Sequence, residues 1–287
     1  MHHKEHHGFL YGLLAALLLA CSAVFVKWGA KVPNATIVGI RFIISLLCML
    51  PYILSGRVHI HWNSIPKHFL RAVAGLVAIS CYFYSVKNLP LVNAVTLANT
   101  GPIFMPIVLF IWLKLVLPKG RIWPLVIGFI GVLVILRPGP DFGVWATLIG
   151  LTGGLFAAIA QVGVRQLSKT ESTETILAYY FIISTALTIP LMILTWEPIS
   201  SPFLWLDLAL ISLFSVAFQY FFTKSLTHAP ASKVSVMSYL GVVFSGLLGW
   251  WIFAEEPSLW VLAGSVLIIV GGIVALLSKE QPRKWSR

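Results

Sequence analysis

The stretch that decides the fold is Tyr84–Phe104, YSVKNLPLVNAVTLANTGPIF, in which an apolar segment ends, turns at Leu89-Pro90 and resumes. A related stretch, SLTHAPASKVSVMSYLGVVF, occupies residues 225–244. At an offset of 140 residues, the aligned pairs are Ser85 with Ser225, Pro90 with Pro230, Gly101 with Gly241 and Phe104 with Phe244. The sequence therefore predicts one module used twice.

Composition places the chain in a membrane. Of its 287 residues, 59% are hydrophobic and only 10% are charged, whereas soluble domains average about 45–50% apolar and about 25% charged residues. Apolar runs of about twenty residues, the length of a membrane-spanning helix, recur from end to end. The sequence therefore predicts an all-α integral membrane protein.

The charged and reactive residues exclude several classes of function. A net charge of +11 would indicate nucleic-acid binding in a soluble protein, but here the basic residues fall in short gaps between apolar runs, so no nucleic-acid partner is expected. Cys21, Cys48 and Cys81 each lie inside an apolar run, where a thiol behaves as a small hydrophobic group. The sequence has no metal-ligand cluster, no Ser/His/Asp set and no phosphate-binding glycine loop. Neither an enzyme nor a metal or cofactor is predicted.

Ten transmembrane helices are predicted, separated by turn formers or charged residues. The spans cover residues 9–28, 34–54, 67–87, 91–113, 121–137, 143–165, 174–195, 204–226, 230–253 and 258–278. No gap between them is long enough for an extramembrane domain.

The repeat extends beyond the opening stretch. Thr36-Ile37 and the FIIS segment at 42–45 recur as Thr175-Ile176 and FIIS at 181–184, at an offset of 139 residues. Each copy contains five spans, an odd number, so the second copy enters the membrane from the opposite side. The sequence predicts two inverted five-helix repeats, residues 1–140 and 141–287, within one membrane domain. Alternating access is commonly built on such an architecture.

The distribution of Lys and Arg predicts the orientation, because cytoplasmic loops retain these residues. With the N-terminus inside, the cytoplasmic segments hold 15 of the 20 basic residues and Arg41 lies within a span. The outer segments hold the remaining four, Lys27, Lys31, Lys87 and Arg137. A multi-pass protein with both termini in the cytoplasm is predicted.

Polar side chains on four spans are the candidate substrate-binding residues. The fourth span places Asn93, Thr96, Asn99 and Thr100 on one helix face, because steps of three and four residues return to the same side. The other candidates are Tyr82 and Tyr84 in the third span, Ser215 and Gln219 in the eighth, and Ser235, Ser238 and Tyr239 in the ninth. For the hydroxyl groups the alternative is a hydrogen bond back to their own helix, whereas amides in hydrocarbon need partners outside it.

Arg41 is a further candidate substrate-binding residue. It lies about seven residues into the second span, about 10 Å from the helix start, where a cation costs about 2.5–3.5 kcal/mol on insertion scales. Either it faces a wet cavity and binds substrate, or it snorkels outward or binds a neighbouring carbonyl. The first interpretation predicts that Arg41→Ala lowers substrate affinity without unfolding the protein.

Four residues are predicted hinges or gates in the two related helices. Pro90 forms the turn before the fourth span, and Pro102 and Pro106 would remove backbone hydrogen bonds within it and kink it. In the ninth span, Gly241 would admit a close neighbour.

The placement of the acidic residues bears on the substrate. All nine lie in loops, tails or at span ends, and no carboxylate or histidine is predicted at mid-membrane. A proton-driven exporter of hydrophobic cations would normally need such a group. A cavity lined by amides, hydroxyls and an arginine instead favours a substrate that carries a carboxylate or phosphate, alone or in a zwitterion. An aromatic cage for an ammonium group is the alternative.

Several segments together resemble one known family. They are GIRFIISLL in the second span, CYFYSVKNLPLVNAVTLANTGPIF across the third and fourth, GFIGVLVILRPG ending the first half and AEEPSLWVLAGSVLIIVGGIVALL ending the second. This ten-span pattern is similar to the EamA family of the drug/metabolite transporter superfamily. The resemblance implies an inner-membrane carrier whose cavity is formed mainly by the third, fourth, eighth and ninth helices. Lys114 stands where the family usually has an acidic residue like Glu255, which argues against a symmetric outer gate.

The predicted function is a secondary transporter that moves a small polar metabolite, such as an amino acid or S-adenosylmethionine, across the inner membrane by alternating access. Its expected partners are that substrate and the lipid bilayer. Small-residue pairs such as Gly8/Gly12 leave a homodimer open. The alternatives are a lipid-handling flippase, an exporter of amphipathic organic cations, and a receptor that binds without flux.

Overall fold

The computed structural model describes residues 2–58, 62–116, 122–135, 143–228, 231–256, 258–277 and 283–284. Within these ranges the chain forms eleven α-helices: α1 His2–Trp28, α2 Asn34–Leu54, α3 Ile65–Asn88, α4 Leu91–Ala98, α5 Gly101–Leu113, α6 Ile122–Ile135, α7 Val144–Leu167, α8 Thr173–Leu194, α9 Pro202–His228, α10 Ala231–Phe253 and α11 Leu259–Leu277. A 3-10 turn, Trp62–Ser64, precedes α3. Strand β1, Leu115–Val116, pairs antiparallel with β2, Arg283–Lys284.

The helices are those of a multi-pass membrane protein. Among the described residues, six segments are long and apolar enough to cross a membrane: Leu10–Trp28, Asn34–Leu54, Ile65–Asn88, Val144–Leu167, Thr173–Leu194 and Pro202–His228. Shorter apolar helices cover Leu91–Met105, Leu240–Phe253 and Leu259–Gly271. Large apolar side chains such as Leu194, Phe203 and Trp251 are more than four-fifths exposed, as expected of a lipid-facing surface. The count of ten spans stays a prediction.

The predicted fourth span is interrupted rather than continuous. Helix α4 ends at Ala98, α5 begins at Gly101, and Asn99 and Thr100 lie between them. Proline at position 102 explains the break, because a proline lacks the N–H that would bond the carbonyl four residues earlier and its ring clashes with that carbonyl. Residue 98 is that position, and Pro102 instead lies in the first turn of α5, where a missing N–H is tolerated.

Helices of the first half pack against those of the second in an exchanged pattern. α1 packs against α9 and α10, and α7 packs in the same way against α3 and the α4–α5 pair. Two matching hydrogen bonds join the exchanged helices. Ser85 Oγ of α3 donates to the carbonyl of Ala146 in α7 (3.0 Å), and Ser225 Oγ of α9 donates to the carbonyl of Gly8 in α1 (2.6 Å).

Small residues on α7 bring three helices close together. A Cβ added to Gly154 would lie 2.8 Å from the carbonyl oxygen of Leu97 in α4, and one added to Gly153 would lie 3.0 Å from Cβ of Cys81 in α3. Between helices in a membrane the hydrophobic effect gives little driving force, so association depends on van der Waals contact, which close packing of this kind provides. The approach leaves the middle of α3 and the α4–α5 break facing a common interior space.

Candidate functional site

A cavity of about 110 Å³ lies between α1, α3, the end of α4, α7, α8 and α9. Its polar lining side chains are Arg71, Tyr82, Asn99, Gln161, Tyr180 and Gln219. The cavity therefore involves three of the four helices that the family resemblance implies, with α1, α7 and α8 added.

Arg71 is a cation that lines the cavity, and it was not among the predicted site residues. Its side chain is 2% exposed, and Nε and Nη1 have no hydrogen-bond partner among the described residues. Its Cζ lies 3.7 Å from the centroid of the Tyr180 ring. Gly75 and Gly163 make room for it. A Cβ on Gly75 would lie 2.5 Å from Nη1 of Arg71, and a Cβ on Gly163 would lie 3.1 Å from Cβ of Arg71.

The sequence carried a signal for this residue. The count of basic residues assigned Arg71 to a cytoplasmic flank, although it falls inside the predicted span 67–87. No acidic residue stands three or four positions away on the same helix, where an ion pair along the helix surface would form. An arginine inside an apolar helix without such a neighbour must find an anion elsewhere.

Arg41 is fully buried but does not line the cavity. Its Cζ lies 4.5 Å from the ring centroid of Phe42 and 6.0 Å from that of Phe83. Nε, Nη1 and Nη2 all lack a hydrogen-bond partner among the described residues. The side chain lies near Tyr180, and Tyr180 does line the cavity. The snorkelling alternative does not describe this burial.

Three predicted residues meet at the cavity. Asn99 lies in the α4–α5 break, and its Nδ2 has no hydrogen-bond partner among the described residues. The hydroxyl of Tyr82, from the middle of α3, is also without such a partner. Gln219 of α9 donates from Nε2 to Thr223 Oγ1 over 3.2 Å, which leaves its carbonyl oxygen to face a ligand. The break in the fourth span thus places an amide where a continuous helix would not.

Other predicted residues lie away from the cavity lining. Thr96 and Thr100 donate to the carbonyls of Val92 and Leu97 over 2.6 Å each, which is the self-bonded arrangement. Two further predicted residues are buried but do not line the cavity, and each has a side-chain oxygen without a hydrogen-bond partner among the described residues. Tyr84 is 36% exposed. The two buried residues are Asn93 and Ser215. The side chains of Ser235, Ser238 and Tyr239 lie outside the described residues.

The predicted hinge residues occupy different positions relative to the site. Pro90 immediately precedes α4 with φ −53° and ψ 145°, so it forms the turn from α3. Pro102 and Pro106 lie in α5, beyond the break. A Cβ on Gly241 would lie 3.6 Å from the carbonyl oxygen of Ala16 and 3.7 Å from Nδ2 of Asn99. α10 therefore approaches α1 and the break in the fourth span at this glycine.

One end of the bundle is closed by an ion pair between its two halves. Lys27 at the end of α1 pairs with Glu255, which follows α10, and their side chains are each 19% exposed. Glu255 Oε2 also accepts a hydrogen bond from the backbone N–H of Leu91 (2.7 Å), and Lys27 Nζ donates to the carbonyl of Leu89 (3.2 Å). We call these contacts the Lys27–Glu255 lock. They join α1, the α3–α4 turn and the end of α10.

A second buried pair lies at the other end, one helical turn from Arg71. His68 Nε2 of α3 lies 3.9 Å from Glu171 Oε1, which follows α7, and the His68 ring stacks on Tyr179 with centroids 4.1 Å apart. Glu171 follows the end of α7, as predicted for the acidic residues, and His68 lies in the first turn of α3. The side chains of both residues are buried. The described residues include no group of three or more His, Cys, Asp or Glu side chains that could hold a metal ion.

The family model of the EamA-like transporter family matches residues 6–137 and matches again at residues 144–277. The chain belongs to the EamA-like transporter family. A solved crystal structure shares the fold with a TM-score of 0.68 at 21% identity, and the likeness covers 94% of this chain and 96% of that chain. The predicted resemblance to this family is therefore confirmed.

Relatives in the EamA-like transporter family are named as transporters of different small molecules. The Pseudopaline exporter CntI of Pseudomonas aeruginosa is 32% identical, over 95% of this chain and 97% of its own. The Riboflavin transporter of Vibrio cholerae is 24% identical over 98% of both chains. Solute carrier family 35 member G1 of Homo sapiens is 25% identical over 97% of this chain and 80% of its own. The family and these relatives together show a membrane transporter of small molecules.

Proposed function

We propose that this EamA-like transporter is a secondary carrier for a small polar metabolite that bears a carboxylate or phosphate, zwitterions included. It works by alternating access in the inner membrane. Arg71 carries the proposal, because it is a buried guanidinium that lines the cavity and has two nitrogens without a hydrogen-bond partner among the described residues. A cation in that position is costly unless an anion meets it. Arginine suits a carboxylate or phosphate through parallel N–H···O bonds.

Amide and hydroxyl groups would bind the rest of the substrate. Asn99 and Tyr82 present unpartnered donors to the same cavity, and Gln219 adds an amide from the opposite half of the chain. Polar groups of this kind fix the orientation of a ligand in an otherwise apolar pocket. Phe218 and Phe222 line the apolar part. The site would therefore accept a small molecule with one anionic end and a mixed polar and apolar body.

The proposal includes ten spans in two inverted five-helix repeats, residues 1–140 and 141–287. The exchanged packing of α1 with α9 and of α7 with α3 supports it, as do the matching hydrogen bonds of Ser85 and Ser225. The two successive matches to the family model fall one in each proposed repeat. Inverted repeats of this kind rock against each other around a central site.

The orientation of the carrier follows from the distribution of basic residues. With both termini in the cytoplasm, the Lys27–Glu255 lock closes the outer side. Arg71 then lies toward the cytoplasmic end of the cavity, because α3 begins at Ile65 on that side. This arrangement corresponds to a carrier that is closed to the outside.

Uptake by purified protein in proteoliposomes tests the proposal. A panel of radiolabelled amino acids, S-adenosylmethionine, carboxylates and sugar phosphates is compared between the wild type and Arg71→Ala. We expect saturable flux of at least one anionic or zwitterionic compound that Arg71→Ala reduces at least tenfold. Arg57→Ala is the matched control, since Arg57 is an exposed arginine near the same helix; it should leave flux unchanged.

Assays on the same proteoliposomes can also give results that contradict the proposal. Export of lipophilic cations without flux of any carboxylate or phosphate compound would contradict the proposal and favour the cation exporter. Scrambling of labelled lipid with no flux of water-soluble compounds would favour the flippase. Saturable binding without flux in any condition would favour the receptor.

A further inference from the structure

From the arrangement of Arg41 and Arg71 around Tyr180, we infer that the substrate of this carrier bears two anionic groups. The inference rests on the proposed function and narrows its substrate class. A dicarboxylate, or a compound with one carboxylate and one phosphate, is the chemistry that this arrangement recognises.

Two buried arginines flank one aromatic ring. The guanidinium carbon of Arg71 lies 3.7 Å from the centroid of the Tyr180 ring, and both residues line the cavity. Arg41 is buried near the same tyrosine and near Arg71. Phe42 packs edge-on against Tyr180 with ring centroids 5.2 Å apart, and Arg41 Cζ lies 4.5 Å from the centroid of the Phe42 ring. Cation–π contact offsets only part of the cost of burying a guanidinium.

The described carboxylates do not neutralise this pair of charges. Five guanidinium nitrogens, three of Arg41 and two of Arg71, have no hydrogen-bond partner in the part of the chain that the structure describes. Glu171 faces His68, and Glu255 is held in the Lys27–Glu255 lock at the other end of the bundle. Asp207 lies beside Gly29, in the first turns of α9. The site thus holds two positive charges in an interior where charges interact strongly.

One carboxylate would leave the second charge uncompensated. A monoanion, or a zwitterion that returns one positive charge to the site, could meet Arg71 but would leave Arg41 buried beside it without an anion. A second anionic group on the substrate offsets the nearby Arg41 charge without contacting it, because charges in a low-dielectric interior interact strongly. Lipophilic cations would be repelled for the same reason. The neutral part of the substrate would contact the amides of Asn99 and Gln219.

Matched ligands that differ by one charge test the inference. The melting temperature of the purified full-length protein is measured with N-acetylglutamate and N-acetylglutamine, and with succinate and succinamate, over the same concentration range. A ligand that binds only the folded state raises the melting temperature. We expect each dianion to bind at least about 30-fold more tightly than its monoamide, in line with the loss of one partner from a buried charge pair.

Variants of the two arginines separate this inference from the proposed function. Arg41→Met should abolish the preference for the dianion while monoanion binding persists, and Arg71→Met should abolish binding of both. In the absence of ligand, both variants should melt at or above the wild-type temperature, because each removes a buried unpaired charge. Arg57→Met, at an exposed position, should change neither property.

Each contrary outcome has a distinct meaning. Equal binding of dianions and monoamides, lost in Arg71→Met, would overturn the two-charge inference and leave the proposed carrier function in place. A marked fall in the melting temperature of ligand-free Arg41→Met would overturn it as well, since Arg41 would then be a structural group. Absence of binding by any anion, with transport of lipophilic cations, would overturn both proposals.

Discussion

Glu255→Gln should open the closed end of the carrier. In the Lys27–Glu255 lock, one carboxylate oxygen pairs with the ammonium of Lys27 and the other accepts the N–H of Leu91. Glutamine keeps an oxygen for the N–H of Leu91 but removes the charge that pairs with Lys27. The contact that is lost joins α1 of the first half to the residues after α10 of the second. Its loss therefore weakens the closed state relative to the open one.

The size of the effect follows from burial. A hydrogen bond to a charged group contributes about 1.5–3 kcal/mol when buried, and an exposed ion pair contributes about 0–1 kcal/mol. Both side chains here are 19% exposed, so a value of about 1–2 kcal/mol is appropriate. At about 1.4 kcal/mol per tenfold change, the open population should rise about 5- to 30-fold.

Cysteine labelling measures this population. The native cysteines Cys21, Cys48 and Cys81 are replaced by alanine, and Val92→Cys provides a buried reporter one residue beyond the lock. A membrane-impermeant maleimide added from outside should label the reporter about 5- to 30-fold faster in Glu255→Gln. The matched control is Glu256→Gln, since Glu256 is exposed and makes no ion pair among the described residues. Equal labelling rates in the two variants would refute the role of the lock.

Two further predictions concern helix packing, and thermal unfolding of the purified protein in detergent checks both. Gly154→Ala should lower stability by about 1–3 kcal/mol, because its Cβ would lie 2.8 Å from the carbonyl oxygen of Leu97. Gly241→Ala should be nearly neutral, since its nearest neighbour would be 3.6 Å away; equal losses in both variants would contradict this account. Ser225→Ala removes the hydrogen bond to the carbonyl of Gly8 and should lower stability by about 0.6 kcal/mol, so a larger loss would imply a role beyond this bond.

The sequence predicted helix boundaries well where a long, mainly apolar run is bounded by turn formers. The predicted span 34–54 coincides with α2, because a mainly apolar segment of this length in lipid can satisfy its backbone groups only within a helix. The shape of the fourth span was harder to predict, since Pro102 indicated a kink but not the complete break between α4 and α5. The break at Asn99 and Thr100 depends on how α4 and α5 each pack against α7.

The candidate site was predicted only in part, because the sequence does not show which residues of different helices meet. Spacing along one helix shows which residues share a face, but it does not show which neighbour that face meets. Thr96 and Asn99 were predicted on one face, yet Thr96 bonds to its own helix and Asn99 faces the cavity. Tyr180 lay outside the predicted set, because it is in α8 and the two arginines near it, Arg41 and Arg71, are far away in the sequence.

The sequence by itself determined that this protein is a helical membrane protein and a member of the EamA-like transporter family. Hydropathy and repeated segments are properties of the chain alone, and the lipid environment converts them directly into helices. Only the tertiary structure decided that Arg71 lines the cavity while Arg41, which is also buried, does not. Whether a buried charge has a partner depends on side chains far apart in the chain, and the packing of helices brings those side chains together.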